Sequence, residues 1–424
     1  MEKPLTGRMR GDGEAVELPA YERADGYQGL RRALKLSPRE VQEQVRAAKL
    51  LGRGGAGFDA GEKWAHVPMG DDAPHPKYVI ANADEMEPGT MKDRWLMEAD
   101  PHQLLEGMII ASYAVGADAA YVFLRWAYKT AAKRLARAIA EAYEKGYLGR
   151  NILGSSYSLE LYLHTSAGRY MCGEADGLLD ALEGKRAVPR SKPPFATTCG
   201  LWGKPTVVNN VETLCCVPHI IRGGADWFLK LSRGGKEGGT KIYGASGRVK
   251  RPGLWELPLG ATVGEVFHDC AGGMRDGLAF RALLPGGASS DFITAEHFDV
   301  PMDFGSMGRA GSRLGTGTMV VLDDRTCPVG VLVSLERFFA RESCGWCTPC
   351  REGLPWVRSI LEAMERGDGR EGDLDVLDDH VRTIKMHHTF CTLAPGAMMP
   401  LRSALRYFRD DFRRHVAEKR CPWR

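Results

Sequence analysis

Three cysteines at regular spacing are the strongest chemical signal in the sequence. Cys344, Cys347 and Cys350 are separated by two residues each, which places three thiolates around one small volume. Iron–sulfur clusters are held by cysteine thiolates, commonly four of them. Structural zinc and inert buried thiols are the alternatives, but zinc ligands usually occur as separated pairs. The triplet therefore favours an iron–sulfur cluster.

The fourth cluster ligand has to come from another part of the chain. Cys391 is the best candidate, because it begins a turn before another predicted helix. Cys421 and Cys327 are alternatives, since each is followed by proline, as in ferredoxin sequences. Cys350 leads directly into a helix predicted over residues 351–365, and the N-terminus of that helix would favour an anionic cluster.

A glycine-rich loop at residues 52–58, GRGGAGF, is the second signal. It matches the pattern GxGxxG, but it follows a predicted helix, whereas the dinucleotide fingerprint requires a strand before the loop. Its glycines leave backbone N–H groups open to a phosphate or a flat ring. A tight turn without a ligand is the alternative interpretation.

An acidic segment, NADEMEPGT, begins at Asn82, where the predicted strand 77–82 ends. Ligands of open α/β sheets bind at the carboxyl ends of strands, so these amide and carboxylate groups could hydrogen-bond a ring or a ribose. A solvated turn is the alternative. Three further motifs are each more often structural than functional when taken singly: YMCGE at 170–174, RSKPPF at 190–195 and VNNVET at 208–213.

The composition is that of an ordinary globular protein. Its 424 residues, 44% hydrophobic and 26% charged, give a prior of about two to four domains. The net charge of +3 provides no general attraction for nucleic acid. Gly116 and Asp118 interrupt the most apolar stretch, so no membrane span is expected. A polar N-terminus and eleven cysteines favour reduced thiols in a cytosolic compartment over a secreted disulfide framework.

The elements that must position these residues divide the chain into four parts. Residues 1–36 lack periodicity and are expected to drape over a neighbouring domain. Residues 37–232 begin with a capping box at Ser37 and Glu40, and are predicted to form an α/β domain with a largely parallel sheet. Its strands are expected at residues 77–82, 119–124 and 159–164. Its helices are expected at residues 37–50, 93–115 and 126–145.

The remaining two parts differ in character. RGGKEGG at 233–239 is typical of a linker, and a small β-rich domain is expected to extend from residue 233 to 322. Residues 323–424 show a helical pattern that predicts a compact bundle, with breaks near Gly367 and Gly396.

Taken in order, these motifs resemble the flavin-carrying, NADH-oxidising 51-kDa-type (F-type) subunit of bacterial respiratory complex I. The resemblance extends from about Gly26 to Phe412 and is most specific around residues 343–353. Diaphorase subunits of NAD-linked hydrogenases and formate dehydrogenases share most of the motifs. AGGMRDG at 271–277 and PGLWELP at 252–258 favour the complex I branch. The motifs that carry the resemblance are GRGGAGF, NADEMEPGT, CGE, RSKPPF, VNNVET, ESCGWCTPCREG and TFCTLAPGA.

The resemblance implies an architecture and an activity. A Rossmann-like FMN/NADH domain would be followed by a ubiquitin-like (β-grasp) domain and a helical bundle carrying one [4Fe-4S] cluster. NADH would be oxidised by hydride transfer to FMN, and single electrons would pass to the cluster. No side-chain nucleophile or general base is expected, because the cofactor performs the redox chemistry.

The resemblance also implies an assembly, an NADH:quinone oxidoreductase. The expected partners are the 24-kDa-type (E-type) subunit, which carries a [2Fe-2S] cluster, and the large iron–sulfur (G-type) subunit. The chain would lie in the peripheral arm, on the cytoplasmic side of the bacterial inner membrane, without spanning it.

Specific residues follow from the same resemblance. Glu87 would position the nicotinamide, the adenine would stack near Phe58 and Phe195, and Lys192 would contact a phosphate. The cluster ligands would be Cys344, Cys347, Cys350 and Cys391. The other cofactor-binding residues would be Gly52, Arg53, Gly54, Gly55, Ala56, Gly57, Lys63, Asn82, Asp84, Glu85, Tyr170, Gly173, Glu174, Asn209, Asn210 and Thr213.

Two positions depart from the family pattern. The family usually has a second glutamate after CGE, near the adenosine ribose, and Ala175 stands there in this sequence. Because a carboxylate repels a 2′-phosphate, the preference for NADH over NADPH is expected to be relaxed, and whether Asp176 substitutes is left open. His66 stands where an aromatic or aliphatic residue is frequent.

Overall fold

A four-stranded parallel sheet forms the first layer of the fold. The structure, a computed structural model, describes residues 2–424. The strands lie in the order β3-β2-β1-β4 and all pairs are parallel, as predicted, so their carboxyl ends meet at one edge. Three strands begin within one residue of their predicted starts, and the fourth contains the VNN motif. The strands are β1 (Tyr78–Ala83), β2 (Ala119–Arg125), β3 (Glu160–Ser166) and β4 (Thr206–Asn210).

Helices surround this sheet. The capping box of Ser37 and Glu40 is present at the start of α3. The continuous helix predicted over residues 93–115 is wrong: Asp100 interrupts it and caps α6 by accepting a hydrogen bond from Gln103, with Pro101 at the first helical position. The helices are α1 (Leu18–Arg23), α2 (Gln28–Ala33), α3 (Pro38–Ala47), α4 (Ala60–Ala65), α5 (Lys92–Ala99), α6 (Pro101–Val115), α7 (Lys129–Glu144), α8 (Ala175–Leu182), α9 (Ala196–Cys199), α10 (Val211–Gly223) and α11 (Ala225–Lys230).

The N-terminal segment is part of the core of this first layer. Tyr21, Tyr27 and Leu30, from the segment expected to be a draped extension, are buried in the same cluster as the sheet. The carboxylate of buried Glu106 accepts hydrogen bonds from the Tyr21 hydroxyl and from the backbone N–H groups of Tyr27 and Leu30. The sequence pattern of residues 1–36 did not predict this burial, because the burial depends on Glu106, about eighty residues further along the chain.

A second, mixed sheet follows the glycine-rich segment at 233–239. Its strands lie in the order β6-β5-β8-β7; β5 and β8 are parallel, and the two outer pairs are antiparallel. The predicted β-rich region is therefore present, with its own buried cluster around Tyr243 and Phe267. The elements are β5 (Thr240–Gly247), β6 (Gly253–Pro258), β7 (Phe280–Leu284), α12 (Phe304–Arg309) and β8 (Thr318–Asp323).

The last hundred residues are helical, as the sequence pattern indicates. Gly367 ends α15 with a φ of 90°, as predicted, but Gly396 lies inside α17 and does not break it. Cys350 lies within a short helix of its own, and the next helix begins at Gly353. The helices are α13 (Pro328–Glu342), α14 (Thr348–Arg351), α15 (Gly353–Arg366), α16 (Asp373–Thr383), α17 (Leu393–Tyr407) and α18 (Arg409–Glu418).

The sequence predicted that the chain has no membrane span and that its cysteines are reduced. Among residues 2–424, no helix has the length and apolar character needed to cross a bilayer. All eleven cysteines, which lie within this range, are free thiols.

Candidate functional site

A cavity of about 400 Å³ opens at the carboxyl edge of the parallel sheet. β1 delivers Asn82 and the residue after its end, Asp84, to the cavity, and β4 delivers Asn209 and Asn210. This is the edge at which open α/β sheets bind ligands, and the volume lies in the usual range for small-molecule sites. The strand-end reasoning from the sequence therefore locates the cavity correctly.

Most of the residues assigned to cofactors line this cavity. They come from the glycine loop, from α4, from the acidic segment and from two of the three weaker motifs, YMCGE and VNNVET, which are far apart in the chain. The assigned residues in the lining are Gly52, Gly54, Gly55, Ala56, Gly57, Phe58, Lys63, Asn82, Asp84, Glu85, Glu87, Tyr170, Gly173, Glu174, Asn209, Asn210 and Thr213.

Arg53 lies outside the cavity lining, in contrast to its assignment. Its guanidinium is buried and donates hydrogen bonds to the carbonyls of Gly238 and Thr240 at 2.6 and 3.2 Å. Its backbone N–H donates to the Thr213 hydroxyl at 2.8 Å. The side chain therefore connects the glycine loop to the start of the second sheet and is turned away from the cavity.

Lys192 and Phe195 also lie outside the lining. The ammonium of Lys192 is 2.8 Å from a carboxylate oxygen of Glu174 and 2.9 Å from one of Asp176. This pairing engages the lysine with two carboxylates, one of which, that of Glu174, belongs to a residue of the cavity lining. The Phe195 ring is 59% exposed, whereas Phe58, 54% exposed, lies at the cavity.

The glycine loop connects α3 to α4, so it follows a helix, as the sequence predicted. The backbone N–H of Gly52 donates to the Phe58 carbonyl at 2.9 Å and closes the loop. Gly57 has a φ of 70°, and a Cβ there would lie 2.6 Å from the Phe304 ring. Glycine is therefore required at this position for both backbone and packing reasons.

Lys63, on α4, brings a positive charge to the cavity. Its Nζ donates to the Val208 carbonyl at 2.9 Å and lies 5.9 Å from the centre of the Phe58 ring. Burial lowers the pKa of Lys63 to about 8, because the charged form loses hydration. An anionic ligand in the cavity would restore the stability of the ammonium form.

Asp84 brings a buried carboxylate to the cavity. Its Oδ1 accepts a hydrogen bond from the Ser166 hydroxyl at 3.0 Å, whereas Oδ2 has no hydrogen-bond partner among residues 2–424. Burial raises the pKa of Asp84 to about 6. An unpaired buried oxygen costs free energy, and an N–H donor of a bound ring would satisfy it.

A buried ionic network lies beside the cavity. Lys92 Nζ is 2.8 Å from Asp93 and 2.9 Å from Glu212, and Lys241 Nζ is 3.2 Å from Glu212. Burial acts to raise the pKa of Glu212, but the charges of Lys241, Lys92 and Arg53 outweigh it and lower the pKa to about 2. Lys92 and Asp93 also line the cavity, so this network fixes part of its wall.

Glu85 has a different environment from the one expected of a ligand contact. Its carboxylate accepts hydrogen bonds from the backbone N–H groups of Asp93 and Arg94 at 2.9 and 3.1 Å, and from the Tyr128 hydroxyl at 3.0 Å. Burial raises the pKa of Glu85 to about 7. Although Glu85 reaches the cavity, its side chain primarily holds the start of α5.

Glu87 connects the two sheets across the cavity. Its Oε2 accepts from the Tyr170 hydroxyl and its Oε1 from the backbone N–H of Ser289, both at 2.6 Å. Gly287, with a φ of 90°, allows this approach, since a Cβ there would lie 2.7 Å from the Glu87 side chain. The carboxylate is therefore held in one orientation at the cavity wall.

The wall formed by the second sheet region was not predicted from the sequence. The glycines at 286–287 and 315–317 were the only sequence signal for this wall. Nothing in their local sequence indicated that this region contacts Glu87, about two hundred positions earlier. The missed residues of this wall are Gly286, Ser289, Arg313, Gly315 and Thr316. Other unassigned lining residues are Met86, Thr90, Lys92, Asp93, Met171, Ala175, Val208, Thr392 and Leu393, and Cys391, assigned to the cluster, also lines the cavity.

Of the two positions that depart from the family pattern, Ala175 lies at the cavity and His66 does not. Ala175 lines the cavity. Asp176 lies outside the lining and is paired with Lys192 at 2.9 Å, so it does not place a carboxylate where Ala175 lies. His66 also lies outside the lining, with its Nδ1 2.6 Å from the Glu62 carbonyl oxygen.

A second, smaller cavity is lined by four cysteines: Cys344, Cys347, Cys350 and Cys391. Burial, together with the neighbouring cysteines of the group, raises the pKa of Cys350 to about 12 and that of Cys391 to about 11. Thiolates gathered in this way repel one another, so an iron–sulfur cluster, whose iron ions neutralise them, fits this set. Cys421 lies outside this cavity.

The two cavities adjoin each other. Met171, Cys391 and Leu393 line both of them. A group in the large cavity and a cluster in the small one would therefore be separated by only a few side chains.

Family models match both regions. Residues 45–219 match the Nuo51 FMN-binding domain, and residues 330–415 match the NADH-ubiquinone oxidoreductase-F iron-sulfur binding region. The parallel sheet with its large cavity lies mostly in the first range, and the four cysteines all lie in the second. The fold and the sites thus define an iron–sulfur flavoprotein.

Similarity to named proteins narrows this class. The chain is 55% identical to the F-type subunit of NADH-quinone oxidoreductase from Salmonella typhimurium and from Escherichia coli, over 96% of this chain and 92% of each relative. It is 47% identical to the corresponding Mycobacterium tuberculosis protein, over 99% and 95%. The chain belongs to the family of F-type subunits of NADH-quinone oxidoreductase.

A solved structure is similar over almost the whole chain. The crystal structure of NAD+-reducing [NiFe]-hydrogenase in the H2-reduced state matches with a TM-score of 0.82 and 32% identity. The match covers 99% of this chain and 67% of the hydrogenase chain.

Proposed function

We propose that this chain is the electron-input subunit of an NADH:quinone oxidoreductase, in which it oxidises NADH and delivers electrons to an iron–sulfur centre. FMN, when bound, accepts the hydride of NADH and releases electrons singly. The observation that carries this proposal is the common wall of the two cavities, formed by Met171, Cys391 and Leu393. It provides a short path from a flavin in one cavity to a cluster in the other.

The large cavity offers suitable partners for FMN. The open backbone of the glycine loop and the ammonium of Lys63 would bind the phosphate. The Oδ2 of Asp84, which lacks a hydrogen-bond partner within the described chain, would accept a hydrogen bond from an N–H of the flavin ring. Asn209, near the end of β4, supplies a further amide group, whereas the amide of Asn210 is held by Asp93 and Lys92.

Glu87 is suited to the nicotinamide end of NADH. Tyr170 and Ser289 hold its carboxylate through two 2.6 Å hydrogen bonds, so it can accept hydrogen bonds from the carboxamide or the ribose without reorganising. Exposed Phe58 offers a ring for adenine stacking. Ala175 would face the adenosine ribose, where the family usually has a carboxylate.

Cys344, Cys347, Cys350 and Cys391 would hold a [4Fe-4S] cluster. The four residues share one cavity, and the pKa values raised by burial in Cys350 and Cys391 require a cation to stabilise the thiolates. Since Cys391 also lines the large cavity, it would be the ligand nearest the flavin.

The domain organisation is proposed on the same basis. Residues 37–232 would be the Rossmann-like domain, residues 233–322 a ubiquitin-like β-grasp domain and residues 323–424 a cluster-bearing bundle. The mixed sheet of the second region and the six helices of the third support this division. The proposed partners are the [2Fe-2S]-carrying 24-kDa-type subunit and the large iron–sulfur subunit, in a peripheral arm on the cytoplasmic side of the inner membrane.

A diaphorase module of a soluble hydrogenase is the second candidate function. The 32% identity to the NAD+-reducing hydrogenase supports it, whereas the 55% identity to NADH-quinone oxidoreductase subunits favours the first. Proteins that co-purify with the tagged chain from its own cells distinguish the two: quinone oxidoreductase subunits or hydrogenase subunits.

The variant Cys347→Ser tests the proposed order of electron flow, because Cys347 lines the small cavity and lies outside the lining of the large one. In the reconstituted chain under anaerobic conditions, NADH should still bleach the flavin of this variant while the cluster signal is absent. Cys199→Ser, at an exposed cysteine, is the control and should show both signals. A variant chain that binds FMN but no longer reacts with NADH would contradict the proposed order.

A further inference from the structure

A second group of metal-ligating side chains lies apart from the four cluster cysteines. The ligating atoms of Cys327, Glu365, His415 and Cys421 all lie within 4.8 Å of one another. Both cysteines precede a proline, and for that reason both were alternative candidates for the fourth cluster ligand. Neither of them lines the cavity of the cluster cysteines, so their proximity calls for a separate explanation.

The four residues come from four separate segments. Cys327 is the N-cap of α13, Glu365 lies in the last turn of α15, His415 lies on α18, and Cys421 follows α18. The region where these segments meet is tightly packed: a Cβ on Gly367 would lie 2.1 Å from the carbonyl oxygen of Lys419. The group therefore connects the residues after α18 to two other helices.

The distances are suitable for a tetrahedral ion. Cys327 Sγ lies 2.8 Å from Glu365 Oε1 and 3.3 Å from His415 Nε2, and the last two atoms are 3.4 Å apart. Zinc with Zn–S of about 2.3 Å and Zn–N or Zn–O of about 2.0–2.1 Å separates its ligand atoms by about 3.3–3.8 Å. Only small movements would open a central position of this size.

The surroundings orient the ligands as in known metal sites. His415 Nδ1 donates to the Asp411 carbonyl at 2.7 Å, which leaves Nε2 as the lone-pair nitrogen facing the cysteines. Cys327 Sγ accepts a hydrogen bond from the Gly330 N–H at 3.3 Å, and this contact at the start of α13 fixes the direction of the thiol. His415 and Cys421 are buried, and the Trp423 ring stacks on His415 at 5.8 Å.

We propose that Cys327, Glu365, His415 and Cys421 bind one structural Zn²⁺ ion. Two thiolates, an imidazole and a carboxylate form a closed four-ligand set, and zinc accepts each of these ligand types, whereas calcium and magnesium prefer oxygen ligands alone. The ion fixes the residues after α18 to the start of α13 and the end of α15. This zinc site is independent of the flavin and cluster sites.

Metal analysis of the full chain, reconstituted with FMN and its cluster and purified without chelators, tests the proposal. About one zinc ion per chain is expected in addition to the cluster iron. Cys421→Ser and His415→Gln should each lose the zinc and keep the iron. Cys350→Ser should show the reverse pattern, and Cys270→Ser, at a cysteine outside both groups, should keep both metals.

Cobalt substitution keeps the proposal testable if a variant does not fold. Co²⁺ added to wild-type chain produced in zinc-depleted medium should give thiolate-to-metal charge-transfer absorbance that added Zn²⁺ removes. Three results would each overturn the proposal: a wild-type chain without zinc after growth in zinc-supplemented medium, equal zinc in Cys421→Ser, or a Cys327–Cys421 disulfide detected by thiol titration of the unfolded chain.

Discussion

The hydroxyl of Tyr170 donates a 2.6 Å hydrogen bond to Oε2 of Glu87. This contact joins a residue after β1 to a residue after β3, and the other oxygen of Glu87 is bound by the Ser289 N–H in the second sheet region. A carboxylate held by donors from two other segments keeps its orientation when a ligand arrives. Glu87, the residue proposed to contact the nicotinamide end of NADH, therefore has a fixed orientation at the cavity wall.

Tyr170→Phe should raise the KM for NADH about tenfold, because a hydrogen bond to a charged group contributes about 1.5–3 kcal/mol. The bound FMN content should be unchanged. Steady-state kinetics with an artificial electron acceptor measure the effect. Tyr162→Phe, at an exposed tyrosine of β3, is the matched control, and equal KM values for the two variants would contradict the proposed role of Glu87.

The affinity for FMN should depend on pH through Asp84. Burial raises the pKa of Asp84 to about 6, so its carboxylate accepts hydrogen bonds fully only above that pH. FMN should bind more weakly as the pH falls from about 7 to about 5, as measured by quenching of flavin fluorescence.

Asp84→Asn separates this effect from general acid sensitivity. The variant should bind FMN about tenfold more weakly at neutral pH and should lose the pH dependence near the Asp84 pKa of about 6. Asp299→Asn, at an exposed aspartate, should behave like the wild type. An unchanged pH profile in Asp84→Asn would show that another group is responsible.

Glu212→Gln should destabilise the fold by about 3–5 kcal/mol at neutral pH, because it leaves the buried charges of Lys92 and Lys241 without their common partner. The pKa of Glu212 is lowered from its ordinary value of 4.5 to about 2, so its stabilisation is present above the ordinary value and is lost as the pH falls through the lowered one. Denaturant unfolding at several pH values should therefore show a difference that shrinks below pH 4.5. Glu296→Gln, at an exposed glutamate, serves as the control.

Cys391→Ser should abolish the cluster, whereas Cys421→Ser should retain it, because only Cys391 lies with the other three cysteines. Iron content and low-temperature electron paramagnetic resonance of the two reconstituted variants measure this directly. The opposite pattern would make Cys421 the fourth ligand.

Ala175→Glu should increase the ratio of kcat/KM for NADH over that for NADPH, by about tenfold, through repulsion of the 2′-phosphate. Asp176 does not supply this charge in the wild type, since it is paired with Lys192. Ala175→Gln is the control of equal size without the charge. If glutamate and glutamine give the same ratio, repulsion is not the cause.

Much of the parallel sheet and the position of the cavity could be predicted from the sequence. Buried aliphatic runs mark β1 and β2 because a parallel strand is covered on both faces, and the polar residues after β1 mark the ligand edge. The cysteine spacing located three of the four cysteines that line the second cavity. These signals are local, so a single sequence carries them.

The remaining features depend on contacts between distant residues. Arg53 belongs to the glycine loop, yet its guanidinium binds carbonyls 185 and 187 residues later. Lys192 is paired with the acidic residues at the start of α8, and Ser289 reaches the cavity from the second sheet region. Neither periodicity nor motif spacing reports such pairings. The break at Asp100 differs from them, because Asp100 followed by Pro101 is a local signal for the start of a helix; the prediction missed it because the apolar pattern continues on both sides.

The most direct measurement is an anaerobic titration of the FMN- and iron-reconstituted chain with NADH, following flavin and cluster absorbance together. If this chain is the site of electron entry, NADH bleaches the flavin and then reduces the cluster, and this is the result we predict. A chain that holds both FMN and its cluster but shows no bleaching with NADH would contradict the assignment of NADH oxidation to this subunit.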